Sequence, residues 1–248
     1  MRLLTGPILL VALVLGEGRP AFAECPPAPI ETIAGLQLVE DGLRSPDGRV
    51  FTLAGMILDT SGRDRLGRLT AYRPVILRPA GPADRWGRFP VHPETGGVLI
   101  EETLLAEGLG HAAALSRPAC LETLLQMEAK ARAARLGVWR GSGYVIRAAD
   151  GDALVARLGE HVVAEGQVIS TRKVRDRVYL NFAKYWRRGL SLIVAEKDWS
   201  AMADGRPAEA LSGKVVRVRG RLEWRGGPVI LADPREPIEP VVVGQVSR

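Results

Sequence analysis

The chain has 248 residues, 46% hydrophobic and 25% charged, with a mean hydropathy of +0.04. These are ordinary globular values and exclude wholesale disorder, a collagen-like repeat and a multi-span membrane protein. Aromatic residues make up only 5% against 28 Gly and 17 Pro, which points to many turns and short strands, and the net charge of +6 favours polyanionic partners.

The first 23 residues read as a secretory signal: Met1-Arg2 gives a positive start, an apolar run follows over 3–15, and Ala21-Phe22-Ala23 is a small-x-small cleavage site. The run is too short to span a bilayer, so no membrane span is expected. Glu24 before Cys25 argues against a lipoprotein. Cleavage near Ala23 would leave an exported protein, periplasmic or secreted. In such an oxidising compartment Cys25 and Cys120, the chain's two cysteines, are expected to pair. The loop they close is long, which in the chain-entropy model is worth roughly 4–5 kcal/mol at most. The alternative is two buried free thiols. His92, His111 and His161 stand at no metal-ligand spacing.

From residue 30 to about 115, short alternating runs are punctuated by turns. Strands are expected over 36–39, 50–54, 68–77 and 89–92, with Asp47-Gly48 as a hairpin signal. A short helix is expected over 99–106, stopped by Gly108. The spacing of Leu124, Met127, Ala131, Ala134 and Val138 predicts an amphipathic helix over 121–136. Its polar face carries Glu122, Glu128, Lys130, Arg132 and Arg135, and Gly137 ends it with Trp139 packing beneath. After a connecting stretch, strands are expected over 162–170, 177–182, 190–195, 214–224, 229–232 and 238–243. Charge divides the chain as well. Residues 24–150 carry 15 Lys and Arg against 15 Asp and Glu, whereas residues 151–248 carry 17 against 12.

Several motifs occur in order: Leu53-Ala54-Gly55; Asp84-Arg85-Trp86-Gly87-Arg88; Leu104-Leu105-Ala106-Glu107-Gly108-Leu109; Glu128-Ala129-Lys130-Ala131-Arg132; and Gly137-Val138-Trp139. Together they resemble the thermonuclease, or staphylococcal-nuclease-like, family over about residues 30–140. That resemblance implies a five-stranded OB-type barrel with helices. The second half resembles an appended OB-like module of bacterial members, through Glu165-Gly166-Gln167-Val168, Tyr179-Leu180-Asn181-Phe182, Val216-Arg217-Val218-Arg219-Gly220 and Gly227-Pro228-Val229-Ile230. The expected fold is therefore mainly β with α, an α+β chain of two OB-type units. The implied division is a signal peptide at 1–23, a thermonuclease-like domain at 24–140, a linker at 141–155 and the smaller module at 156–248.

The family's chemistry is calcium-dependent phosphodiester hydrolysis, with two aspartates and a carbonyl on the metal, a glutamate base and two arginines on the phosphate. Carried across residue by residue, the match is uneven. Arg88 stands at the second arginine position, but Thr52 stands at the first. The metal aspartates are replaced by Ile57 and Leu43, and the base by Thr60. A shifted register would offer Asp59 or Asp64 to a metal and Arg49 or Arg63 to a phosphate, yet no glutamate lies between Glu40 and Glu94. Losing one positioned base or clamp costs a hundredfold or more in rate. The expectation is an eroded site with no cofactor; calcium enters only if an active nuclease with a rearranged site holds.

Binding then becomes the leading expectation, for nucleic acid or another polyanion. OB modules pair basic grooves with stacking rings. The second half supplies Arg172, Lys173, Arg175 and Arg177 before Tyr179, then Lys184-Tyr185-Trp186-Arg187-Arg188. Later come Arg217 and Arg219, which alternation places on one strand face. The plainer reading of Arg88 is as the partner of a nearby carboxylate or a cover for the barrel rim, with Asp84 shaping the turn. A structural envelope protein that uses both barrels for protein contacts is the remaining alternative.

Overall fold

A computed structural model describes residues 25–115, 120–141 and 143–241. The expected signal segment and its cleavage site at Ala23 lie outside the described residues. The described chain is mixed α and β: mostly strands, with five α-helices and curled sheets.

The first sheet runs, in spatial order, through Glu31–Ile33, Val75–Pro79, Arg88–Thr95, Val50–Leu53, Gly42–Arg44 and Gln37–Val39. Its neighbours are antiparallel except Val50–Leu53 beside Arg88–Thr95, which are parallel. The second sheet runs through Ile146–Arg147, His161–Gln167, Val215–Trp224, Pro228–Leu231, Ser191–Ala195, Arg177–Asn181 and Ser170–Val174. Again a single internal pair is parallel, Ser191–Ala195 beside Pro228–Leu231. Setting Ile146–Arg147 aside, the two sheets share one strand order. In each, the strands at the two ends of the path are consecutive in sequence, so one bent segment borders both ends of a curled sheet. In each, a helix lies in sequence between the two strands of the internal parallel pair: Thr60–Thr70 between Val50–Leu53 and Arg88–Thr95, and Glu196–Met202 between Ser191–Ala195 and Pro228–Leu231.

Alternation fixes which face of each sheet is core. Leu43, Phe51, Val75, Leu77 and Val91 turn inward in the first half, where Leu104, Leu105 and Leu124 of the helices Ile100–Ala106 and Leu121–Ala133 cover them. Val162, Val178, Leu180, Leu192, Leu222 and Ile230 do the same in the second. Cys25 and Cys120 are joined, with Cα atoms 4.9 Å apart, so the expected disulfide ties the start of the described chain to the residue that opens helix Leu121–Ala133.

Several expectations need correction. Residues 68–77 are not one strand. Their first part ends the helix Thr60–Thr70, and the strand is Val75–Pro79. That helix is strongly polar, with only Gly62, Leu66 and Thr70 buried. It is fixed by Asp59, which caps it, and by the close approach of Gly62 to the Leu109 carbonyl, where an added Cβ would lie 2.3 Å away. The hairpin at Asp47-Gly48 exists, but its first arm is Gly42–Arg44, with Gln37–Val39 one strand further out. The long strand expected over 162–170 is two strands, His161–Gln167 and Ser170–Val174. The 141–155 segment carries the strand Ile146–Arg147 and the helix Gly151–Val155.

A buried ionic layer joins the halves. Glu128, assigned from its spacing to a polar helix face, is fully buried instead. Its carboxylate accepts from the Ala112 N–H at 2.8 Å, from Arg132 at 2.7 Å and from Arg219 of the second half at 2.9 Å. Arg219 also donates to the Ala112 carbonyl at 2.8 Å and pairs with Glu239. Burial alone would raise the Glu128 carboxyl, but the Arg219 charge and hydrogen bonds, with Arg132 and the Ala112 amide, hold it below the usual carboxylate range. Beside it runs a chain of contacts: Tyr144 Oη to His111 Nδ1 at 2.6 Å, His111 Nε2 to His161 Nδ1 at 2.9 Å, and His161 Nε2 to Glu236 at 3.1 Å. Burial first, then the neighbouring His161 and Arg219, pushes His111 well below its ordinary value. With His111 neutral, the chain is satisfied in one direction, each donor facing the next acceptor from the Tyr144 hydroxyl to the Glu236 carboxylate.

Candidate functional site

The residues that the thermonuclease resemblance would place in a catalytic site have structural surroundings here. Leu43 is in the core at 1% exposure. Thr52 and Ile57 lie half-buried on strands Val50–Leu53 and Met56–Leu58, and Thr60 opens a helix. Asp59, the alternative metal ligand, accepts from the Gly62 N–H at 2.7 Å as a helix cap. Among the described residues no group of three or more His, Cys, Asp or Glu is placed to hold a metal ion. The donor set therefore does not fit a bound calcium. Arg88 donates through Nε to Asp84 at 2.8 Å and lies over the Trp86 ring at 4.8 Å. Asp84 also accepts from the Trp86 and Arg88 amides at 2.9 and 3.0 Å, as a turn-forming aspartate does. The Arg88 guanidinium is thus committed to its own turn.

A different site takes shape in the second half. On Arg177–Asn181, Val178 and Leu180 face the core, while Arg177, Tyr179 and Asn181 face the other side. The register sets Tyr179 between Arg172 and Ile193, and Asn181 between Ser170 and Ser191. The result is a groove of about 440 Å³ across the outer face of the sheet. Its lining combines the apolar Val174, Ile193 and Val229, the cations Arg172, Arg177 and Arg225, and the rings of Tyr179 and Trp186. A neighbouring depression of about 440 Å³ is lined by Lys184, Tyr185, Trp186, Arg187 and Arg188, so Trp186 borders both.

The loop that carries those five residues is held by close backbone packing. An added Cβ at Gly227 would meet the Trp186 carbonyl oxygen at 3.1 Å and the Arg187 Cα at 2.9 Å. All five side chains are exposed, Tyr185 at 64% and Trp186 at 45%. Arg187 lies over the Trp186 ring at 5.1 Å. Among the described residues Arg172, Arg177, Arg187 and Arg188 have no carboxylate partner, and no acidic residue lines either depression. Lys173 and Arg225 differ, since they pair with Glu196 and Glu223.

Arg217 and Arg219 do not join this site. They share one strand face, as alternation requires, but that face turns toward the first half and buries them at 3% and 2% exposure. Arg217 donates to Glu165 at 2.6 Å and to Glu239 at 3.2 Å. Both guanidiniums are neutralised in the ionic layer and closed to an external ligand. The sequence reading named Tyr179 only as the ring that follows four cations, and gave Asn181 and Ser191 no part in binding. The available signal was the period of two in Arg177-Val178-Tyr179-Leu180-Asn181, which sends the ring outward with the arginine.

Compared with models of known protein families and with curated proteins, the chain matches none.

Proposed function

We propose that the chain is an exported binding protein built on two OB-type barrels, the first thermonuclease-like with its phosphodiesterase site lost, the second holding nucleic acid or another polyanion. The observation that carries this reading is the groove with Trp186 at its border and Arg172, Arg177, Arg187 and Arg188 unpaired among the described residues. Guanidiniums without carboxylate partners in a low-acid surface attract and clamp anionic groups.

The strand order supports the barrel reading in both halves, because a bent first strand bordering both ends of the path is how a five-stranded OB barrel closes. Loss of the nuclease chemistry is supported by Leu43, Thr52, Ile57 and Thr60 at the expected ionic positions and by the capping role of Asp59. Export is supported by the disulfide, which persists in oxidising compartments. No described helix is long and apolar enough to cross a membrane.

The test is incubation of the purified protein with DNA and RNA, single-stranded and duplex, in calcium or in chelator. The expected result is no cleavage, together with binding that weakens steeply with salt and is lost in Arg187→Ala/Arg188→Ala. Calcium-dependent cleavage abolished by Arg88→Ala would contradict the reading. So would failure to bind any polyanion at low salt.

A further inference from the structure

The groove combines two properties that most polyanions cannot use together. Val174, Ile193 and Val229 give it apolar surface and Trp186 and Tyr179 give it rings, while Arg172 and Arg177 rise from the same sheet face as Tyr179. Sulfated polysaccharides and polyphosphate have charge but no flat apolar face. Duplex nucleic acid has both, but its base faces are stacked out of reach. A ligand that matches has a charged backbone and exposed planar rings.

Spacing agrees. Along one strand, side chains on the same face recur about every 6.6 Å, near the repeat of an extended polynucleotide backbone. Arg177, Tyr179 and Asn181 sit at that repeat, and Trp186 borders the same groove. The Asn181 amide already has partners on both sides: it donates to Ser170 Oγ at 3.1 Å and accepts from Ser191 Oγ at 2.9 Å. Rings and arginines dominate the rest of the lining, and they favour stacking without sequence preference.

We propose that this groove takes single-stranded nucleic acid, with unpaired bases against Trp186 and Tyr179 and phosphates at Arg172, Arg177, Arg187 and Arg188. The proposal rests on the polyanion reading above and names its ligand. Four phosphate contacts on a single strand imply a loss of affinity of about 50-fold between about 50 and about 200 mM salt. Each stacked base contributes about tenfold or more.

The experiment is fluorescence anisotropy with the full chain, its disulfide intact, at low salt. The probes are a labelled oligothymidine, a labelled mixed-sequence single strand of equal length and a labelled blunt duplex, with heparin as competitor. The variants are Trp186→Ala, Trp186→Phe and Arg172→Ala/Arg177→Ala, each checked for fold by circular dichroism. The expected result is that both single strands bind alike and more tightly than the duplex. Trp186→Ala should lose about tenfold on single strands and far less on heparin, and Trp186→Phe should recover most of that loss. Equal binding of single strand, duplex and heparin, unmoved by Trp186→Ala, would overturn the proposal while leaving the polyanion reading intact. No binding of any probe would overturn both.

Discussion

In the first half Arg49 reaches Glu31 and Asp47, Arg65 reaches Glu107, Arg78 reaches Glu94 and Arg88 reaches Asp84. In the second, Arg172, Arg177, Arg187 and Arg188 reach no carboxylate among the described residues. The two curled sheets share a strand order, and even the position of their one internal parallel pair. What differs is where the cations without carboxylate partners gather: among the described residues each half has them, Arg44, Arg68 and Arg85 in the first among them, but in the second four line two adjoining depressions, and residues 151–248 carry the excess, 17 against 12. A shared topology therefore says little about function, which depends on the side chains each outer face carries. Paired arginines staple turns and strand ends, whereas unpaired ones leave a field for an anionic ligand.

Within the second half the same contrast recurs between Arg219, buried against Glu128, and Arg188, exposed. The largest expected effect sharpens it. Glu128→Ala should leave Arg219 with Glu239 as its one carboxylate among the described residues of the buried junction and destabilise the protein by about 3–5 kcal/mol, read as a lowered midpoint of urea unfolding. A loss under about 1 kcal/mol would mean that the two halves do not depend on this ionic layer. Next in size, Cys25→Ser/Cys120→Ser should cost about 2–5 kcal/mol, because it frees a sequence separation of 95 residues in the unfolded chain. Thermal unfolding of oxidised and reduced protein gives the same comparison without mutation.

A smaller effect concerns pH. The fold holds His111 well below its ordinary value of 6.5, so below about pH 6.5 the unfolded chain takes up a proton that the folded chain refuses. Stability should then fall as pH drops, by up to about 1.4 kcal/mol per unit for one proton. Glu128, held below its ordinary 4.5, adds a loss of the same sign in more acid solution. His92 works oppositely: burial would lower it, but the charge and hydrogen bond of Glu101 raise it, so its contribution is present in acid and is lost as pH rises through its folded value. The informative quantity is the difference between wild type and His111→Gln, whose stability should slope less between about pH 6.5 and 5. Parallel profiles would remove His111 from the account. The smallest effect is local. Gly227→Ala should displace the Trp186 loop and weaken ligand binding several-fold, with little change in unfolding.

Much of this architecture is legible in the sequence because it is written in short-range pattern. The alternation of Val178, Leu180, Leu192 and Val194, the Asp47-Gly48 turn and the spacing of Leu124 and Ala131 each specify an element and its inward face. The exposed Lys184–Arg188 loop is legible for the same reason: two rings and three cations in five residues have no apolar period to bury them. What the sequence withholds is what lies against the outer faces. Period two places Arg217 and Arg219 together, but only the arrival of Glu128 from ninety residues away decides that this face is buried. The helix Thr60–Thr70 is hidden for a related reason, since its composition is strongly polar and its place is set by contacts to Leu109 and the core.

The most direct test of the contrast is a matched pair of double variants, assayed for binding to a labelled single strand at low salt. Arg187→Ala/Arg188→Ala removes two unpaired cations from the second half, and Arg85→Ala/Arg88→Ala removes the same charge from the first. Binding lost by tenfold or more in the former and nearly unchanged in the latter is the predicted result. Equal losses in both, or a loss confined to Arg85→Ala/Arg88→Ala, would contradict it and return the ligand to the first half.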